Sequence, residues 1–176
     1  MSMSRIFIEE NKKYQIDLSA SINTVDDLHE KYQSIGNFLS DVDWIAETDD
    51  NIFLIEYKNT EIEKAQSNIF KTRIKDGTFY DRIIKKYYGG AFYILACRKA
   101  KPINYICIIE AAFLDGIMRK RMCASIKKRL PYKIQEMPEI AVNLINEFKV
   151  LSIQEWNEQY AMFPLTDYIS LNRDLL

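Results

Sequence analysis

The sequence predicts an α/β domain in which a mixed β-sheet is flanked by helices. Apolar runs of strand length at 44–47, 52–58, 91–97 and 103–109 are rich in aromatic and β-branched residues. Around them lie stretches whose apolar residues recur at helical spacing. The chain has 176 residues, 48% hydrophobic and 28% charged, the size and balance of one globular domain with a sizeable core.

Taken in order, Arg5–Ile8 and Tyr14–Leu18 read as two short strands joined by a polar turn, a peripheral hairpin. Asn23 or Thr24 then offers a helix N-cap, with Asp26 and Asp27 in the first turn, where the helix dipole favours negative charge. Val25, Leu28, Tyr32, Ile35 and Leu39 form one apolar stripe, which predicts a helix of about fourteen residues. His29, the only histidine, flanks this stripe as a packing residue, and Glu30 lies nearly opposite it, facing solvent.

The stretch Asp43–Lys58, D-W-I-A-E-T-D-D-N-I-F-L-I-E-Y-K, predicts a β-hairpin, because Thr48-Asp49-Asp50-Asn51 is a cluster of turn formers between two strand-like runs. A loop centred on Asp49-Asp50 opposes Glu47 to Ile52, Ile45 to Leu54 and Asp43 to Glu56, and opposed side chains stand about 5 Å apart. Sliding the turn by one residue pairs Asp43 with Lys58 instead, and Lys58 shares the face of Glu56 in either register. Two carboxylates at that distance repel by ~3 kcal/mol at an effective dielectric near 20. Lys58, or a hard divalent cation held by both acids, would offset the repulsion. The run Ile52–Ile55 is apolar on both faces, the mark of an inner strand.

Beyond the hairpin, Asn59 or Thr60 caps a helix whose buried stripe is Ile62, Ala65 and Ile69. Asp76-Gly77 breaks it, and Thr78-x-x-Asp81 restarts a helix that Gly89-Gly90 stops. Strands follow at Ala91–Cys97 and Ile103–Ile109. Asp115 caps a helix that runs to about Leu130, with Met118, Met122, Ile126 and Leu130 on one face and basic residues on the rest. That basic helix has three readings: a DNA-backbone helix, a membrane-surface helix or a solvated face. Ile140–Phe148 reads as a helix, and Ser152-x-x-Glu155 as a capping box opening another that Pro164 ends. Phe163, Tyr168 and Leu171 pack back on the sheet or form a dimer surface, so a homodimer is a further expectation.

The net charge of −1 hides a partition. Residues 1–63 carry five basic and fourteen acidic groups, residues 64–133 seventeen and four, and residues 134–176 two and seven. The middle third is a basic module suited to phosphate backbones. Cys97, Cys107 and Cys123 have no metal-ligand spacing and are read as small buried hydrophobes in a reducing compartment. The first residues lack the apolar core of a secretion signal and no stretch approaches a membrane span, so the expectation is a cytoplasmic protein with no membrane partner.

Asp43, followed by Glu56-x-Lys58 closing a hydrophobic strand, resembles the signature of the PD-(D/E)XK nuclease superfamily, with spacing similar to that of archaeal Holliday-junction resolvases. Val42 stands where the superfamily often has Pro, and Asp41 competes for the acid position at a poorer pairing distance. The resemblance implies a restriction-endonuclease-like core, a mixed β-sheet flanked by helices in α-β-β-α-β-β order, within residues 1–133. A C-terminal helical extension over 134–176 would pack on the same domain. It also implies a Mg²⁺- or Mn²⁺-dependent nuclease acting on DNA, with Asp43, Glu56 and the Tyr57 backbone carbonyl holding the ion and Lys58 catalytic. Some branches use a glutamine on the following helix, which makes Gln66 a candidate support for the site; the family's first-helix acid is not assigned to Glu30. Lys64, Lys71, Arg73, Arg119, Arg121, Lys127 and Lys128 are the expected contacts to nucleic acid. Two other functions stay open: a catalytically inactive member of the fold that binds nucleic acid or protein, and an unrelated α/β domain using its basic helix for protein or lipid contact.

Overall fold

The computed structural model describes residues 4–36, 38–60 and 64–168, with the side chains of 64–66 left out. Ile6–Ile8 (β1) and Tyr14–Asp17 (β2) form the expected N-terminal hairpin. Its turn is closed by the buried carboxylate of Glu9, which accepts the backbone N–H groups of Asn11 and Lys13 at 2.7 Å each. Asn23–Val25 (β3) is a strand where the sequence predicts a helix start. Its two β-branched residues pair with the Trp44–Glu47 edge, so sheet hydrogen bonding wins over a weak local helix signal. The helix is confined to Leu28–Gln33 (α1), with Asp27 at the cap and no side-chain capping bond.

Trp44–Glu47 (β4) and Ile52–Asn59 (β5) form the central hairpin in the expected register, Ile45 opposite Leu54 and Glu47 opposite Ile52. Thr48 and Asn51 close its turn: the Thr48 N–H donates to the Asn51 carbonyl at 2.8 Å and the Asn51 N–H to Thr48 Oγ1 at 3.1 Å. Lys64–Lys75 (α2) ends where Gly77 takes φ +85°, a left-handed conformation that favours glycine. Among the described side chains of α2 the buried one is Phe70, packed edge-on against Phe79 at 4.8 Å, while Ile69 is half exposed; Ile62 and the Ala65 side chain lie outside what is described.

Thr78–Ala96 (α3) is one continuous helix of 19 residues. Gly77 is its N-cap, and the Thr78 hydroxyl and N–H both donate to Asp76 Oδ1. The expected strand at 91–97 is therefore the end of α3, and Gly89-Gly90 does not stop the helix. The pair permits close contact instead: a Cβ on Gly89 would stand 1.8 Å from the Ser40 carbonyl oxygen, and one on Gly90 would stand 2.9 Å from the Leu54 side chain. Ile83, Tyr87, Ala91 and Ile94 keep the buried stripe running through the glycines.

Ile103–Glu110 (β6) is the expected strand, and Asp115 caps Gly116–Lys127 (α4), accepting the Met118 N–H at 2.7 Å. The region 134–176 is not simply a helical extension. The expected helix at 140–148 is replaced by irregular chain and the strand Glu147–Leu151 (β7), whose alternating burial suits an edge that packs on one side. Ile153–Gln159 (α5) opens with the predicted Ser152 and Glu155 capping box, and Leu165–Asp167 (β8) follows.

The five-stranded mixed sheet runs β3-β4-β5-β6-β7, with β5 in the middle, antiparallel to β4 and parallel to β6. A three-stranded antiparallel sheet, β1-β2-β8, packs on one face. Strand alternation sorts the core into two layers. Ile52 and Leu54 pack with Ile83, Tyr87 and Tyr105 toward the helices, whereas Phe53, Ile55 and Tyr57 pack with Trp156, Phe163 and Leu165 toward the small sheet. Phe163 thus packs back on the sheet as expected, 5.5 Å from Phe53. Among the described residues no helix is long and apolar enough to cross a membrane.

Candidate active site

Strand β5 outlasts its partner β4. The β4–β5 ladder ends at Trp44 opposite Ile55, while β5 continues beside β6 to Asn59. The N–H of Tyr57 on the β4 side would be left without a strand acceptor, and the Asp43 side chain takes it, Oδ2 accepting at 2.7 Å. The carboxylate is thereby fixed beside the Glu56–Tyr57 peptide. Glu56 shares the face of Ile52 and Leu54, which places it under the helices, 6% exposed.

The cation between the two acids is Lys86 of α3. Its Nζ lies 2.6 Å from Glu56 Oε2 and 3.6 Å from Asp43 Oδ1, which bounds those two oxygens at about 6 Å apart. The Lys86 side chain is almost fully buried. Its reach follows from the glycines one turn later: α3 lies close on the 38–43 segment at Gly89, where Tyr32 Oη also donates to the Gly89 carbonyl at 2.6 Å. Lys58, expected from the sequence to offset the two acids, does not hold the position between them. Lys58 is half-buried, shares the cleft with them, and makes no ion pair among the described residues.

Burial sets the electrostatics. It pushes Glu56 up to about 8, helped by the Asp43 charge and opposed by Lys86. Asp43 is raised for the same first reason, against the pull of Lys86 and the Tyr57 N–H. A third of its side-chain surface stays open, so solvent tempers this effect. Burial alone would lower Lys86, but Glu56 and Asp43 outweigh it and raise the amine.

These groups line a cleft of about 740 Å³ at the C-terminal end of β5. Arg73 of α2 and Arg82 of α3 are exposed on its basic wall. Glu10, Asp26, Glu30 and His29 also line the cleft. His29 is exposed rather than packed, bonded to Asp41 at 3.3 Å and to Gln33 at 2.7 Å, and Asp41 is thereby engaged away from Glu56. The Tyr57 ring points to the other face, against Tyr14 and Trp44.

Of the expected nucleic-acid contacts whose side chains are described, only Arg73 lines the cleft. Lys71 lies over the Phe113 ring at 4.8 Å, and Arg119 is held by Glu155 and the Leu114 carbonyl. Arg121 is exposed on α4. Lys127 and Lys128 line a separate, more open hollow with Tyr132 and Glu147. The side chains of Lys64 and Gln66 lie outside the description.

Among the described residues no three His, Cys, Asp or Glu side chains gather into a metal cluster. A divalent ion would have two carboxylates and backbone or solvent oxygens, a donor set that suits Mg²⁺, which usually keeps several waters. The gap between the acids is occupied by the chain's own Lys86 ammonium. Comparison of the chain with protein-family models, curated proteins and solved structures finds no match to any of them.

Proposed function

We propose that this chain is a metal-dependent nuclease of the PD-(D/E)XK type, with a restriction-endonuclease-like core, hydrolysing DNA phosphodiester bonds at Asp43, Glu56 and Lys58. The observation that carries the reading is the convergence of Asp43 and Glu56 at the C-terminal end of the central strand, in a cleft that also holds Lys58. Asp43 and Glu56 would hold Mg²⁺ or Mn²⁺, with the Tyr57 carbonyl as the resemblance implies. When bound, the ion supplies positive charge against the negative charge that develops on the scissile phosphate. Glu56 must give up its proton to serve as a ligand, which its burial resists at neutral pH. Lys58, free of ion pairs among the described residues, orients water or stabilises the reacting phosphate. Arg73 and Arg82 seat the backbone without reading bases.

A second reading has its own support. Lys86 already fills the gap between the two acids, where a metal ion would otherwise lie, and this favours a catalytically inactive, nucleic-acid-binding member of the fold. Plasmid cleavage with Mg²⁺ or Mn²⁺ separates the two. Loss of cleavage in Glu56→Gln and Lys58→Ala supports the nuclease, and equal activity in all three proteins refutes the site assignment. Salt-dependent DNA binding with no cleavage in the native chain favours the second reading.

A further inference from the structure

The Lys86 ammonium occupies the space between two carboxylates that a divalent ion would need. Three features make this a built arrangement rather than a chance surface pair. The side chain is 7% exposed, it comes from a helix on a different element from either acid, and that helix is held in close contact by Gly89 against Ser40 and Gly90 against Leu54. The Lys86 ammonium stands at the end of a flexible four-carbon stem that borders the cleft, whereas Asp43 is pinned by the Tyr57 N–H and Glu56 rises from the central strand. The cleft into which it would swing is lined on the same wall by Arg82, one turn earlier on α3.

We infer that Lys86 is a resident counter-cation: it holds Asp43 and Glu56 together in the metal-free chain and vacates the gap when they take up a divalent ion, turning toward the cleft where a phosphate oxygen would lie. This rests on the metal-site reading above and adds a competition that the reading alone does not contain. Without Lys86 the buried Glu56 carboxyl loses its ammonium partner and the metal-free chain loses stability, while the cation that competes for the gap is gone and ion affinity rises. The same ammonium that assembles the site thus restrains ion binding.

The test uses the full chain and Mn²⁺ as the probe. Isothermal calorimetry is run on the native protein and on Lys86→Met, which keeps the length and removes the charge. Lys86→Met is expected to bind Mn²⁺ about tenfold more tightly, equivalent to ~1.4 kcal/mol of Lys86 displacement, and to gain more in Tm from Mn²⁺ than the native chain does. Amine acylation of the native protein, read at Lys86 by mass spectrometry, gives a measurement that needs no variant. Lys86 is expected to be protected without metal and to label faster with saturating Mn²⁺. Equal or weaker Mn²⁺ binding by Lys86→Met overturns the inference, as does labelling that Mn²⁺ leaves unchanged. If Lys86→Met does not fold, the labelling result decides alone. If neither protein binds Mn²⁺, the metal-site reading itself fails, an outcome distinct from a native chain that binds Mn²⁺ without moving Lys86.

Discussion

Replacing Gly89 by Ala tests how α3 is seated and, through it, how the site is assembled. An alanine in a helix interior is ordinarily worth about 1 kcal/mol over glycine. Here the added Cβ would stand 1.8 Å from the backbone oxygen of Ser40. No rotamer relieves a clash with a carbonyl, so α3 and the 38–43 segment must part by more than about 1 Å to restore ordinary contact. Overpacking of this kind costs about 1–3 kcal/mol or more. The separation also strains the Tyr32 hydrogen bond to the Gly89 carbonyl, and a buried hydroxyl left unpaired costs a further ~1–3 kcal/mol. The steric and polar losses exceed the propensity gain, and Gly89→Ala is expected to be destabilised by about 2–4 kcal/mol. Gly90→Ala is the comparison: its Cβ meets the buried methyls of Leu54 at about 3 Å rather than a backbone carbonyl, so its loss should be smaller than at Gly89, about 1–2 kcal/mol. Urea denaturation of the two variants and the native chain measures both. A Gly89→Ala protein as stable as the native one would refute the close approach that brings Lys86 to the acids.

Stability should also depend on pH in a direction set by Glu56. Its folded pKa is raised to about 8 from 4.5, so between those values the folded chain holds a proton that the unfolded chain has released. Stability of the metal-free protein therefore falls as pH rises from about 5 to 8, by at most about 5 kcal/mol from this group, and Asp43 contributes with the same sign. Glu47 and Glu155, lowered in the fold, add no slope there because they are ionised in both states across that window. Urea midpoints measured across this window should fall in the native chain and flatten in Glu56→Gln; a native slope that rises with pH contradicts the buried-acid account. At the far end of the chain, Ser152→Ala removes the acceptor of the Glu155 N–H and should cost about 1 kcal/mol. An unchanged midpoint would mean that Arg119, which grips Glu155 from α4, holds the turn by itself.

The parts of the fold legible in the sequence are those set by neighbours along the chain. The 44–59 hairpin register follows from its turn, the caps at Asp115 and Ser152 from one side chain and a nearby N–H, and β6 from an apolar run bounded by turn residues. What the sequence reading misplaces depends on contacts made across the fold. The glycine pair in α3 reads as a breaker because its reason, Ser40, lies 49 residues away. Once α3 is cut at the glycines, the stripe of Phe79, Ile83, Tyr87, Ala91 and Ile94 is divided and its second half passes for a strand. The same cut hides Lys86. On the uninterrupted helix it stands three residues after Ile83 and four before Gly90, on the buried face, and a lysine on a buried face asks for an anionic partner. That signal was present in the spacing. Strand β7 is not legible in the sequence because Phe148 fits a helical stripe from Ile140 as well as the alternation of an edge strand.

The position of the acids follows from the sheet's own geometry. A central strand with full-length neighbours has no room for a side chain to reach its backbone, and here β4 stops opposite Ile55 while β6 runs on to Glu110. The overhang from Glu56 to Asn59 is paired on one side and open on the other, at the strand where the sheet changes from antiparallel to parallel pairing. Ligand crevices in open α/β sheets lie outside the carboxyl ends of strands where connections diverge, and this overhang is such a place. Asp43, the residue immediately before β4, both completes the missing hydrogen bond and delivers a charge to the opening. Asp41, two residues earlier, is drawn to His29 instead. Asp43→Asn would keep an oxygen for the Tyr57 N–H and lose the charge, whereas Asp43→Ala loses both. Alanine should therefore be the less stable of the two by about 1–2 kcal/mol, and neither should retain the Mn²⁺ binding that depends on a carboxylate there. Equal urea midpoints for the two variants would mean that the Tyr57 N–H finds water, and that Asp43 does not fasten the strand end.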